Sequence, residues 1–215
     1  MGSFLIGPKA VGLSTLAIMI LELFSALFVV PMVSSSLLVL CLTRIAQTGA
    51  VFAVLSLCDR TPSALGLGRG QIFSGFMRGL FWSLVFGLFA LAGMAAFSIA
   101  GTNPLALIKT SLPDSPGNLM LFFVTGGLVA PVAEEVFFRG IIYGFLRRWG
   151  IPAALSGTTL IFVALHTARH GLPITQVVGS IVFCAAYEKE RKLMTPITIH
   201  ALGNTAIFAL SVMAS

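Results

Sequence analysis

The chain contains few charged residues. Only 20 of its 215 residues are charged, 13 Lys and Arg together and 7 Asp and Glu together, which is 9%, whereas a typical soluble domain has roughly 25%. Hydrophobic residues make up 57% of the chain and come in long runs. This composition excludes an ordinary soluble globular protein and an intrinsically disordered one. It indicates a polytopic membrane protein of the all-α class, a bundle of transmembrane helices.

Cysteine is also scarce, and several familiar motifs are missing. The three cysteines, Cys41, Cys58 and Cys184, form no C-x-x-C pair and no metal-binding spacing, so we interpret them as buried free thiols. The H-E-x-x-H zinc motif is absent. No feature supports a Ser or Cys nucleophile. The chain has no internal repeat, which argues against a duplicated transporter.

Seven apolar segments predict seven membrane spans within one membrane domain, 1–215. Residues 1–117 hold the N-terminal spans and an amphipathic loop, and residues 118–215 hold the polar motifs described below. The first apolar run lacks a small-residue cleavage site, so we expect it to be a retained span. The predicted spans are Ala10–Val30, a second ending at Leu57, Gly79–Ala100, Asn118–Leu146, Pro152–Ala168, Leu172–Tyr187 and Pro196–Met213.

The basic residues of the loops predict the orientation in the membrane. Nine fall on the side of the N-terminus and two, Lys109 and Arg169, fall on the other side. Since Lys and Arg are enriched in cytoplasmic loops, we predict an inner-membrane protein with a cytoplasmic N-terminus and an external C-terminus. The nine are Lys9, Arg60, Arg69, Arg78, Arg147, Arg148, Lys189, Arg191 and Lys192.

Five charged residues in the first, second and fourth spans need a partner or a purpose, because an ionisable group at mid-bilayer costs at least about 2.5–3.5 kcal/mol. They are Glu22, Arg44, Glu134, Glu135 and Arg139. Glu22 in the first span and Arg44 in the second could pair with each other, which is a structural interpretation. Glu134 and Glu135 lie together in the fourth span. The two carboxylates point about 100° apart on a helix, so they cannot perform one task together.

The two neighbouring glutamates differ in their local partners. Glu135 lies one turn before Arg139, the favourable i,i+4 orientation for an ion pair, whereas Glu134 has no such partner. A carboxylate in a low-dielectric environment without a counter-charge holds its proton more readily than one in water. A general base that works near neutral pH needs this property. The alternative is that Glu134 only bonds a neighbouring helix.

Two histidines in apolar segments strengthen the case for a site. Phe162 and His166 share one helical face, and so do His200 and Asn204, each pair at i,i+4. A single histidine on an apolar helix is more often a satisfied core residue. Two of them, with an Asn in register and an unpaired Glu, together indicate a site. His170, beside Arg169, is predicted to lie in a solvated loop.

These groups support two chemistries. A carboxylate and an imidazole can deprotonate a water molecule while a second imidazole and an amide stabilise an oxyanion, which would hydrolyse an amide bond. Alternatively Glu134, His166 and His200 could ligate zinc and leave a fourth position for water. The residue types alone leave both versions open. Intramembrane Glu, Arg and His are also typical of a proton or ion pathway, so a coupled transporter is the rival interpretation.

The three motifs, Glu134-Glu135-xxx-Arg139, Phe162-xxx-His166 and His200-xxx-Asn204, lie in this order on successive apolar segments. In this they resemble the CPBP family of intramembrane proteases, which includes the type II CAAX prenyl endopeptidases. Leu65-Gly66-Leu67 also resembles the amphipathic stretch that precedes a span in that family. The resemblance implies an all-helical bundle with a catalytic cavity inside the membrane, open toward the cytoplasmic leaflet.

The resemblance also implies roles for four residues. Glu134 would activate the water with help from His166. His200 and Asn204 would stabilise the oxyanion, or His200 would ligate a metal. Zinc and a metal-free glutamate mechanism are equally compatible with the family.

The same resemblance implies that Glu135 and Arg139 hold the geometry of the motif. The expected partners are the lipid bilayer and a membrane-anchored protein or peptide substrate, lipidated ones included, and no nucleic acid. The short, Gly-rich sequence is typical of a bacterial protein, and prenylated proteins are uncommon in bacteria, so we expect cleavage of peptides or membrane-anchored tails. A catalytically inactive immunity or binding protein of the same fold is a further alternative.

The lengths of the spans set a geometric problem for this site. Segments five and six have only about 16 residues each. At 1.5 Å per residue, His166 should lie near the outer end of span five and His200 near the inner end of span seven. If both histidines serve one site, we expect one helix to be tilted, broken or re-entrant.

Overall fold

The computed structural model describes residues 5–108, 110–166 and 174–214, without the side chains of residues 106 and 107. These residues form a bundle of seven helices, and the described part of the chain contains no strand, which confirms the predicted all-α fold class. The helices are α1 Pro8–Met32, α2 Ser36–Leu57, α3 Arg69–Ile99, α4 Pro116–Trp149, α5 Ile151–Ala164, α6 Ile174–Glu190 and α7 Met194–Met213.

Five helices, α1, α2, α3, α4 and α7, are long and apolar enough to cross a membrane, so the protein is a multi-pass membrane protein. Helices α5 and α6 are shorter, with 14 and 17 residues, as the lengths of the predicted fifth and sixth segments indicated. Positions 167–173, which include His170 and the ends of those two segments, lie outside the described residues.

Helix α3 begins ten residues earlier than predicted. It starts at Arg69, whereas the apolar segment starts only at Gly79. At its first turn, the side chain of Gln71 accepts a hydrogen bond of 2.9 Å from the backbone N–H of Gly68. This bond satisfies one of the backbone donors at the start of the helix. Residues 69–78 of the predicted loop are therefore the beginning of the third long helix.

Small residues allow α3 to lie directly against α7. A Cβ atom on Gly79 would stand 2.5 Å from Cβ of Thr198, and one on Gly75 would stand 2.9 Å from Cβ of Met194. Thr195 Oγ1 also donates a hydrogen bond of 3.1 Å to the carbonyl of Gly75. Helix α3 thus contacts the first turns of α7, immediately before His200.

The turn between α6 and α7 packs into the bundle through Leu193. Leu193 is fully buried and packs beside Gly140 of α4. The Leu65-Gly66-Leu67 stretch covers this turn: Gly66 has φ +79°, and a side chain there would collide with the carbonyl of Arg191. Only glycine satisfies both the positive φ and the close approach. The stretch that the family resemblance singled out therefore holds the start of α7 in place.

The buried turn resolves the predicted problem of depth. Gly140, beside Leu193, is nine residues before the end of α4 at Trp149, so α7 starts about 13 Å below that end. His200 then lies only about 9 Å further along α7, while Glu134 lies about 22 Å from the end of α4. Glu134 and His200 therefore lie at the same depth in the bundle. The early start of α7 within the bundle accounts for this.

The end of α4 is fixed by a polar cluster on its last turns. Glu188 of α6 accepts a hydrogen bond of 2.8 Å from the hydroxyl of Tyr143 and two of 3.0 Å from Arg147. Arg148 donates to the carbonyl of Ile6 over 2.6 Å and so ties the segment before α1 to this cluster. These bonds hold α4 and α6 in one register, which the site depends on.

Candidate active site

The two glutamates lie on an irregular part of α4. The α-helical stretch Ala130–Glu135 is flanked by two π-helical stretches, Thr125–Val129 and Val136–Tyr143. Widened turns of this kind are rare and are frequent at functional sites. They alter the direction in which successive side chains leave the helix, so Glu134 and Glu135 face different neighbours.

Glu134 faces both histidines. Its Oε2 lies 3.8 Å from Nε2 of His166 and 3.9 Å from Nε2 of His200. Glu134 and His166 are partly exposed, whereas His200 is buried. The structure thus brings together three residues from α4, from the turn after α5 and from α7, which the sequence analysis had grouped by type alone.

The hydrogen bond of His166 defines its tautomer. Nδ1 lies 2.7 Å from the carbonyl of Phe162, one helical turn earlier, and the two rings stack with centroids 4.3 Å apart. Since a carbonyl only accepts, Nδ1 carries the hydrogen. In the neutral ring, Nε2 then carries a lone pair on the side of Glu134. It can accept a proton or a hydrogen bond from water.

His200 is held by the second glutamate. Its Nδ1 donates a hydrogen bond of 2.8 Å to Oε1 of Glu135, and its ring stacks on Phe183 of α6 at 4.7 Å. Nε2 faces Glu134. With the hydrogen of Nδ1 donated to Glu135, Nε2 can donate a hydrogen bond only when the ring carries both hydrogens.

The predicted ion pair between Glu135 and Arg139 is confirmed. Oε1 of Glu135 lies 3.0 Å from Nη1 of Arg139, and both side chains are 0% exposed. Arg139 also donates to the hydroxyl of Ser180 over 2.9 Å, and its guanidinium lies 4.8 Å from the ring centre of Phe162 and 5.1 Å from that of Phe183. One buried arginine therefore links α4, α5 and α6 behind the site.

Asn204 bonds a backbone carbonyl that the irregular helix leaves open. Pro131 has no N–H, and the N–H of Ala130 bonds the carbonyl of Thr125 instead. The carbonyl of Gly126 thus lacks both of its usual helical donors, and Nδ2 of Asn204 donates to it over 2.8 Å. This bond ties α7 to α4 and uses one of the two hydrogens on the amide nitrogen.

Sequence reasoning missed the contribution of α6. Ser180 and Phe183 support Arg139 and His200, and the fully buried Cys184 lies on the same face of that helix. Their i,i+3,i+4 spacing predicts only one buried helical face. Nothing in the residue types identified this face as the one behind the site.

Glu134, His166 and His200 are the residues that would ligate zinc. The described residues hold no group of three or more His, Cys, Asp and Glu side chains arranged to bind a metal ion.

The C-terminal part of the chain resembles known proteins. Residues 116–206 match the model of the Rce1-like family, described as type II CAAX prenyl endopeptidase Rce1-like. The chain is 30% identical over 110 residues to the membrane-embedded CAAX protease MroQ of Staphylococcus aureus (strain USA300), which covers 48% of this chain and 41% of that protein.

A second relative is the UPF0177 protein YaiH of Lactococcus lactis subsp. lactis (strain IL1403). The two are 29% identical over 85 residues, and the aligned region covers 40% of this chain and 35% of that protein. A UPF0177 protein from the abiGi 5' region of Lactococcus lactis subsp. cremoris is 31% identical over 85 residues, with 40% and 36% covered. The chain thus spans less than half the length of these curated relatives. No solved structure matches it significantly.

Proposed function

We propose that this protein is an intramembrane endopeptidase, because residues 116–206 match the model of the Rce1-like family, described as type II CAAX prenyl endopeptidase. Its substrate is a membrane-associated or C-terminally anchored protein or peptide. The observation that carries this proposal is the position of Glu134, whose Oε2 lies within 4 Å of Nε2 of both His166 and His200. A carboxylate between two imidazoles is equipped for acid–base chemistry on water.

Glu134 and His166 hold and activate the attacking water. Their facing atoms are 3.8 Å apart, so one water molecule at about 2.8 Å from each can hydrogen-bond to both. Nε2 of His166 accepts one hydrogen of this water and thereby orients it. Glu134 takes the other as the water oxygen forms its bond to the carbonyl carbon of the scissile peptide.

His200 and Asn204 stabilise the charge that develops on the carbonyl oxygen. His200 donates from Nε2 as an imidazolium, and Asn204 donates the amide hydrogen that its bond to Gly126 leaves unused. Two donors fixed before the reaction cost no reorganisation when the oxyanion forms. In the collapse of the tetrahedral intermediate, Glu134 gives its proton to the leaving nitrogen, the C–N bond breaks, and an acid and an amine result.

The charges of the site support this assignment of protonation states. Glu134 and Glu135 carry two negative charges, and Arg139 supplies one positive charge. An imidazolium at His200 brings the site to neutrality, whereas a neutral His200 would leave one negative charge without compensation in a low-dielectric region. In this assignment the second glutamate orients His200 and compensates its charge when Nε2 donates to an oxyanion.

The depth of the site supports a membrane-associated substrate. The apolar part of α3 from Gly79 to Ile99 has a length of about 30 Å, the thickness of the hydrocarbon layer. Gly79 contacts Thr198, and His200 follows two residues later. These distances support a scissile bond just inside the hydrocarbon boundary, on the side that the basic residues predict to be cytoplasmic.

Cleavage of a membrane-anchored peptide library by protein purified in mild detergent tests the proposal. Wild type should cleave, while Glu134→Gln and His166→Ala should lose at least about a hundredfold in rate because the base or its partner is gone. Glu22→Gln, the same change at another intramembrane glutamate, is the matched control and should retain activity. Metal analysis of the same preparations distinguishes a metal-dependent enzyme from a metal-free one.

Two results would contradict the protease. One is cleavage that is unchanged in the folded Glu134→Gln variant. The other is an absence of cleavage combined with a proton or ion flux in proteoliposomes that Glu134→Gln alters, which would favour the transporter.

A further inference from the structure

A charged pair lies on the membrane-facing side of α1 and α2, away from the residues of the candidate active site. Nη1 of Arg44 lies 3.1 Å from Oε2 of Glu22, and the buried Gln47 bonds both, at 2.7 Å each. The sequence prediction that Glu22 and Arg44 pair is thereby confirmed. The side chains remain 53% and 26% exposed, which is unusual for ions inside a hydrocarbon layer.

The pair lies deep in the membrane. Arg44 is eight residues from the start of α2, about 12 Å along the helix, and Glu22 is fourteen residues from the start of α1, about 21 Å. Its surroundings are apolar: Met19 and Leu23 are both more than half exposed. Lipid chains cannot hydrogen-bond to the exposed parts of these ions.

Each ion also keeps unused hydrogen-bonding capacity. The bonds within the chain use Oε2 of Glu22 and Nη1 of Arg44. The other carboxylate oxygen and the Nε and Nη2 groups of the guanidinium form no bond with the described residues. A cavity of about 180 Å³ borders Glu22 between the two helices, with Ser25 and Thr43 in its lining. The face thus offers an anion, a cation and space beside them.

We propose that this face binds a second copy of the same chain. The argument is charge complementarity. A partner with a single charge would match one ion and leave the other uncovered, whereas a second copy brings both. In a two-fold arrangement about an axis perpendicular to the membrane, α1 of one copy faces α2 of the other at the same depth. Glu22 then meets the partner copy's Arg44, and Arg44 meets the partner copy's Glu22.

The apolar residues around the pair complete the interface. Met19 and Leu23 of each copy pack against the opposing helix and exclude lipid from the four charges. Association of membrane helices is driven by such packing together with interhelical hydrogen bonds. The interface does not use Glu134, His166 or His200, so the proposal does not depend on the proposed protease activity.

Charge reversal separates contacts between copies from contacts within one chain. Full-length protein carrying either of two fluorophores is reconstituted in lipid vesicles at a series of dilutions, and self-association is read as energy transfer. Wild type should associate. Glu22→Arg alone and Arg44→Glu alone should each weaken association by about tenfold, because like charges meet across the interface. Lys9→Glu changes the net charge as much as Arg44→Glu does, on an exposed residue outside the interface, and should associate like wild type.

The decisive measurement mixes the two single variants. A Glu22→Arg copy opposite an Arg44→Glu copy restores opposite charges across the interface, although neither chain contains an internal pair. Energy transfer should recover to near the wild-type level in the mixture. The double variant carrying both changes should also associate with itself. This recovery keeps the test valid even if each single variant is less stable.

Three outcomes would overturn the proposal. Wild type that stays monomeric at every dilution in vesicles refutes it directly. Single variants that associate as strongly as wild type show that the charges do not face a second copy. Recovery in the double variant but not in the mixture shows that the pair acts only within one chain.

Discussion

Glu135 and His200 are 65 residues apart in the chain, and a hydrogen bond of 2.8 Å joins them in the buried interior of the bundle. This bond explains why the fourth helix carries two neighbouring glutamates. Glu134 faces the space where water would be activated, and Glu135 faces the imidazole that would stabilise the oxyanion. The two side chains diverge around the helix, so each is committed to one of these tasks.

Glu135→Gln should lower kcat about 10²- to 10³-fold and leave KM nearly unchanged, because His200 loses the carboxylate that orients its ring toward the site. The charged groups that face His200 are Glu134 and Glu135, with Arg139 behind them. An unchanged kcat in the folded Glu135→Gln variant would contradict the role of Glu135 in positioning His200.

Arg139→Met should destabilise the fold by about 3–5 kcal/mol, because it leaves the fully buried Glu135 carboxylate without its counter-ion. Denaturation in mild detergent measures this. The double variant Glu135→Gln/Arg139→Met removes both charges and should regain most of the stability without regaining activity. If the double variant is as unstable as the single one, the loss arises from packing around the arginine and not from the uncompensated charge.

Asn204→Ala should lower kcat about 10²-fold through the loss of an oxyanion donor and should cost about 1 kcal/mol of stability through the open carbonyl of Gly126. Pro131→Ala restores a backbone N–H to this part of α4. In that background the stability cost of Asn204→Ala should fall toward zero, while the loss of kcat persists. Activity that recovers together with stability would mean that Asn204 is only a structural tie.

Gly79→Ala should destabilise the protein by about 1–3 kcal/mol, because the new methyl group would stand 2.5 Å from Cβ of Thr198. Gly87→Ala on the same helix is the matched control. A Cβ there has no neighbour within 4 Å, so the change should be neutral or slightly stabilising. Thermal unfolding of both variants measures the difference. Equal melting temperatures would show that α3 does not pack tightly against α7.

Much of the architecture could be predicted from composition and spacing. Long apolar runs set the number of helices, since only helices satisfy their backbone groups within a membrane. The i,i+4 spacing of Glu135 and Arg139 predicted their ion pair, because the helix itself places the two side chains together. Glu22 and Arg44 were matched as the intramembrane charges of two successive helices, and the structure pairs them.

Contacts between distant segments could not be predicted in this way. The bond of His200 to Glu135 and the bond of Asn204 to Gly126 join helices whose mutual rotation depends on all the packing between them. The early start of α3 was missed because apolar periodicity detects the membrane part of a helix and not its polar extension.

The sequence by itself determined the class of the protein and the residues able to do chemistry, because charge is costly in a membrane and each charged or polar group there must have a role. Only the tertiary structure decided how these groups meet. The sunken turn before α7, covered by Leu65-Gly66-Leu67, brings His200 to the level of Glu134. That arrangement comes from close packing at glycines and from long-range hydrogen bonds, which depend on contacts between helices and not on the pattern within any one of them.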